Sequence, residues 1–65
     1  MNKALLKYEM SKKGITVTDL CGKLGISPSA FYRKCDGRSE FKQGEIQTIV
    51  DVLELESPVA IFFAK

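Results

Sequence analysis

The chain has 65 residues, of which 45% are apolar and 28% charged, and its net charge is +2 at pH 7. That composition belongs to a small folded domain, not to a disordered segment. It lacks histidine, the commonest general base and zinc ligand, and its longest apolar run, Val59 to Ala64, is far below the roughly 20 residues of a membrane span.

Helix-end signals divide the chain into five helical segments joined by short turns, with no repeat, linker or strand pattern. The first runs from about Lys3 to Lys13, with Leu6 and Met10 on one face and Leu5 beside them, and Gly14 supplies its left-handed end. Thr16 caps the second, Asp19 sits in its first turn, and Leu20, Cys21 and Leu24 form its inner stripe. Gly25 closes it. Ser27 and Pro28 open the third helix as cap hydroxyl and first-turn proline, Phe31 and Cys35 share its inner face, and Asp36-Gly37 stops it.

Arg38 to Lys42 reads as a true loop, and the fourth helix begins near Gln43. There Phe41 and Ile46 form a hydrophobic staple, Glu45 reaches back to the backbone of Lys42, and Ile46, Ile49, Val50 and Leu53 make the buried stripe. A second Ser-Pro pair, Ser57-Pro58, starts a last short helix through Ile61, Phe62 and Phe63. The expected fold is all-α, with five short helices around one core in a single domain over residues 1–65.

Two cysteines, Cys21 and Cys35, are too few and too far apart for a zinc site or a disulfide framework, and read as reduced, buried small hydrophobes. Lysines interrupt the apolar residues of MNKALLKYEMSKK, unlike a signal peptide. The expectation is therefore a cytoplasmic protein with no cofactor, no metal, no small-molecule substrate and no enzymatic activity. Charge is unevenly spread: residues 1–42 carry nine basic residues against four acids, and residues 43–65 carry one basic residue against four acids. A basic front and an acidic back suit a protein that lays one side on a polyanion.

The stretch GITVTDLCGKLGISPSAFYRKCDG, residues 14–37, sets two short helices around a tight glycine turn, a geometry that holds the second helix proud enough to enter a major groove. It resembles the Cro and repressor-type (Xre-like) helix-turn-helix family, and small Cro-like regulators of temperate phages of Gram-positive bacteria in particular. The likeness rests on Gly14-Ile15-Thr16, on Leu20 followed by the small Cys21, on the turn Lys23-Leu24-Gly25-Ile26-Ser27, and on Asp36-Gly37. The stripe of the fourth helix and the closing short helix extend it over nearly the whole chain. It implies a lambda-repressor-like domain that binds a double-stranded DNA operator as a dimer. The competing reading is a protein-interaction module of the same fold, such as an antirepressor or antitoxin-like partner.

The resemblance also implies roles for residues. Base-reading positions are occupied by Pro28, Ser29, Tyr32 and Arg33, on the third-helix face opposite Phe31 and Cys35. Pro28 offers only apolar contact, Ser29 reads ambivalently, and Arg33 suits the bidentate contact to guanine. Tyr32 stacks on a sugar or donates to a phosphate, unless it is simply a half-buried helix aromatic. Lys34, Arg38, Ser39, Lys42 and Gln43 are expected on phosphates. At the start of the second helix, Val17 occupies a position where the family usually has a phosphate-clamping glutamine, so the clamp falls to Thr16, Thr18 or backbone N–H groups.

Met10 and Cys35 align with an arginine and a glutamate that often pair in the family, so both charges are replaced together by apolar groups, a change that preserves a core. At the C-terminal end, Ile61 and one phenylalanine are expected to close the core over Leu53 and Leu55. The other of Phe62 and Phe63 is left for self-association into a homodimer.

Overall fold

Helix ends in this chain are set by local chemistry, and five α-helices result in the computed structural model, which describes residues 1–63. Ala64 and Lys65, the last two positions of the expected domain, lie outside the described residues. The helices are α1 (Lys3–Lys13), α2 (Val17–Leu24), α3 (Pro28–Cys35), α4 (Gln43–Leu53) and α5 (Pro58–Phe62), with no strand among the described residues. The fold is thus all-helical, as the sequence pattern implies.

The α2–α3 turn shows why. Gly25 adopts φ 71°, and its N–H and that of Ile26 both donate to the Cys21 carbonyl, at 2.8 and 3.2 Å. Both bonds go to one carbonyl that the end of α2 would otherwise leave open. Two residues on, the Ser27 hydroxyl accepts from the Ala30 N–H at 3.2 Å, and Pro28 occupies the first turn, where its missing N–H costs nothing. α2 itself starts with a reciprocal cap: Thr16 Oγ1 accepts from Asp19 N–H at 3.1 Å, and the Asp19 carboxylate accepts from Thr16 N–H at 3.2 Å.

Nine side chains form the core: Leu6 and Met10 of α1, Leu20 and Cys21 of α2, Phe31 and Cys35 of α3, Ile49 and Leu53 of α4, and Ile61 of α5. α2 packs on α4 and α3, while α1 packs on α4 and α5. Leu24, expected on the inner stripe, is only half-buried at the rim, as is Ile26 in the turn.

Three local features differ from the sequence reading. α1 has a cap that the pattern did not signal: the Asn2 side chain accepts from Leu5 N–H at 3.0 Å. Ser57 makes no side-chain cap bond; its carbonyl accepts from Ala60 N–H at 3.2 Å instead. α5 ends at Phe62, and Phe63 follows it as the capping residue.

Candidate nucleic-acid interface

Burial of Phe31 and Cys35 fixes the rotation of α3, and with it the face turned outward. Pro28, Ser29, Tyr32 and Arg33 are all exposed. Tyr32 is 48% exposed, its ring edge-on to Phe31 with centroids 5.9 Å apart. One edge of the ring thus packs on the core while the rest of the side chain faces water.

Beyond α3 the chain turns back on itself. Arg38 N–H and Ser39 N–H both donate to the Arg33 carbonyl, at 3.0 and 3.4 Å. The backbones of Arg33, Arg38 and Ser39 are therefore drawn together at the C-terminal end of α3, and Lys42 and Gln43 lead from there into α4, exposed. Lys42 has no side-chain acceptor with which to cap α4, so the reciprocal cap is one-sided: its N–H donates to Glu45 Oε1 at 2.7 Å.

Ion pairing sorts the cations. Lys3 binds Asp36 at 2.8 Å, Lys12 binds Glu9 at 2.8 Å, Lys13 binds Glu54 at 2.8 Å and Lys34 binds Glu45 at 3.1 Å. Among the described residues, Lys7, Lys23, Arg33, Arg38 and Lys42 are left without a carboxylate partner. Three of these five lie on α3 or in the loop after it, so that end of the molecule holds uncompensated positive charge facing water, the electrostatic footprint of a polyanion site. Lys23, in the last turn of α2, is a further unpaired cation beyond the set read from the sequence.

Lys34 departs from that set. Expected on a phosphate, its side chain is only 12% exposed, and its ammonium is bound to Glu45 Oε1 and, at 3.2 Å, to the Glu40 carbonyl. It also lies 5.8 Å from the centre of the Phe41 ring, within range of a cation–π attraction. Burial alone would push the Glu45 carboxyl up; the Lys42 N–H and the Lys34 ammonium outweigh it and hold the carboxyl below its ordinary range.

At the start of α2, Thr16 and Thr18 are exposed, but the Thr16 oxygen is already committed to Asp19 N–H. Hydrogen bonds from the Thr16 backbone and hydroxyl lower the Asp19 carboxyl, keeping a negative charge at this helix start. Val17 turns inward, onto a cleft it shares with Met10, Phe31 and Cys35.

Both cysteines are free and buried. Burial pushes the Cys21 thiol up and raises that of Cys35 to about 11, which keeps both protonated and unreactive. Among the described residues no three His, Cys, Asp or Glu side chains gather as metal ligands, and no helix is long and apolar enough to cross a membrane.

At the other end, Ile61 closes the core, Phe62 is half-buried against Phe41 with ring centroids 5.8 Å apart, and Phe63 is 65% exposed. Phe63 lines two adjoining clefts, of about 350 and about 480 Å3, that share Phe41 and Ile46 as walls.

The family model of the Cro/C1-type HTH DNA-binding domain matches residues 5–57, taking in α2, α3 and α4 entire and stopping short of α5. No curated protein matches the chain significantly. No solved structure does either. A helix-turn-helix with its second helix exposed, unpaired cations at that helix's end, and a family match across most of the chain agree: the chain belongs to the Cro/C1-type helix-turn-helix DNA-binding domains.

Proposed function

We propose that this DNA-binding regulator is a sequence-specific, phage-type Cro-like repressor that works as a homodimer and blocks promoters by seating α3 of each subunit in successive major grooves. Half-sites would then lie about one helical turn apart, roughly 34 Å. Arg33 and Tyr32, with Ser29 and Pro28 at the start of the helix, read base edges. Arg38, Ser39, Lys42 and Gln43 hold phosphates, helped by the Thr18 hydroxyl, that of Thr16 being committed to the cap of α2. The reading needs no cofactor and no enzymatic step, and places the protein in the cytoplasm with its operator.

The observation that carries it is the set of exposed, unpaired cations Arg33, Arg38 and Lys42, placed on and just beyond the exposed face of α3. Homodimer formation is supported by Phe63 and Val59, which are 65% and 62% exposed at the end of the chain that the family match leaves out.

Footprinting on the DNA that flanks the protein's own gene tests the proposal. A protected site with two half-sites about 10 base pairs apart is the expected result. Filter binding to bulk duplex DNA adds a cheaper check. No salt-sensitive retention would overturn the DNA reading and leave the protein-interaction module.

A further inference from the structure

We propose that Lys34 and Glu45 form a clasp that positions the α3–α4 loop for DNA, with Lys34 touching neither base nor phosphate. The inference rests on the DNA-binding reading and assigns Lys34 a different part in it from its cationic neighbours.

The clasp is built on one oxygen. Glu45 Oε1 accepts from the Lys34 ammonium of α3 at 3.1 Å and from the Lys42 N–H at the start of α4 at 2.7 Å. The same ammonium donates to the Glu40 carbonyl at 3.2 Å. One lysine thus ties α3 to the middle of the loop and, through Glu45, to its far end. Both side chains are withdrawn from water, at 12% and 15% exposure. Turning the ammonium out toward a phosphate would leave the partly buried Glu45 carboxylate without its cation, with the Lys42 N–H alone to hold it.

Among the described residues, nothing else ties down the second half of the loop in this way. Gly37, Arg38 and Ser39 are held to α3 by backbone bonds to the Lys34 and Arg33 carbonyls, but among the described residues Glu40 and Phe41 have no backbone bond to α3. The Phe41 ring fixes the position from below, edge-on to Phe31 and Phe62 with centroids 5.9 and 5.8 Å away. Phe41 supplies packing and Lys34 supplies direction. Together they position the second half of the loop and with it Lys42, whose N–H shares the Glu45 oxygen with Lys34.

Salt dependence separates a clasp from a phosphate ligand. Taking away one phosphate-bound cation lowers the slope of log affinity against log salt by about one unit, whereas a loosened loop whose cations still reach phosphate, less well placed, weakens binding with little change in slope. The experiment titrates the full chain with its footprinted duplex across salt concentrations, comparing wild type, Lys34→Gln, Glu45→Gln and the double variant. Lys34→Gln is expected to weaken binding about fivefold to tenfold with the slope unchanged, and the double variant to be no weaker than either single variant. Glu45→Gln removes a negative charge, which on general electrostatic grounds favours DNA; the clasp requires it to weaken binding instead. Amide exchange gives a readout free of DNA: the Lys42 amide exchanges faster in Lys34→Gln while the Ile49 and Leu53 amides of the core do not.

A slope lower by about one unit in Lys34→Gln, tighter binding by Glu45→Gln, or an unchanged Lys42 amide would each overturn the proposal. If Lys34→Gln does not fold, Glu45→Gln decides by the same two measurements. Failure of the wild type to bind any duplex would strike the DNA reading itself, an outcome separate from failure of the clasp.

Discussion

Met10 of α1 and Cys35 of α3 line one cleft of about 70 Å3, walled also by Leu6, Val17 and Phe31. The two positions where the family resemblance implies an arginine and a glutamate thus border the same cleft, and both are apolar. Lys3 and Lys7 stand at the same cleft, with Lys3 already bound to Asp36. Cys35→Glu therefore buries a carboxylate that Lys7 only partly meets, and is expected to cost about 2 kcal/mol, less than the roughly 3–5 of a fully orphaned charge. Adding Met10→Arg should restore most of that stability. Thermal melts of the three variants check this; wild-type melting of Cys35→Glu would mean that position 35 opens to solvent.

Arg33 and Lys42 are both unpaired and exposed but stand in different places, one on the outer face of α3 and one at the entrance to α4. Base contacts specify and phosphate contacts position. Arg33→Ala is expected to cost about 1–3 kcal/mol on the operator and much less on random DNA. Lys42→Ala should weaken both alike and lower the salt slope by about one unit. Equal effects of Arg33→Ala on the two DNAs would confine it to the backbone and pass sequence reading to Tyr32 and Ser29.

Acid should loosen the α3–α4 connection. The Glu45 carboxyl is held below its ordinary value of 4.5 in the folded chain, so the unfolded chain takes up that proton at a higher pH than the native one. Its contribution is complete above about pH 5 and is lost as pH falls through the folded value. Glu45→Gln should accordingly flatten the fall in stability below about pH 5, as measured by urea unfolding at a series of pH values. An unchanged pH slope would show that the carboxylate gains nothing from Lys34 and Lys42.

Phe63→Asp tests the dimer. Phe63 is outside the core, so the substitution should leave the monomer's melting nearly unchanged while shifting sedimentation equilibrium toward monomer. Weaker binding to the two-half-site operator, with binding to a single half-site duplex little changed, should accompany it. Dimers as stable as those of wild type would move the interface elsewhere.

What is legible in the sequence and what is hidden divide by the range of the bonds involved. Gly14, Gly25, Ser27-Pro28 and the Thr16–Asp19 cap act within a few residues, and the ends they mark are where the sequence pattern puts them. The outward face of α3 follows from the same logic, since burying Phe31 and Cys35 leaves Tyr32 and Arg33 outside. The pairing of Lys34 is hidden because its partner lies 11 residues away across a loop, and composition cannot tell a lysine that faces phosphate from one that faces a carboxylate. The end of α4 carries no glycine and so gives no local signal either.

That end has a consequence of its own. Glu54 closes α4 in the left-handed conformation, φ 52° and ψ 49°, which favours glycine, and its carboxylate reaches Lys13 of α1 at 2.8 Å. Salt screens the exposed ion pair and leaves the backbone strain in place. Raising ionic strength therefore acts on this protein not only at the DNA but also at the seam between α1 and α4. A salt titration of operator binding mixes interface and scaffold. Glu54→Gly, which removes both the strain and the pair, would supply a background in which salt no longer acts on that seam.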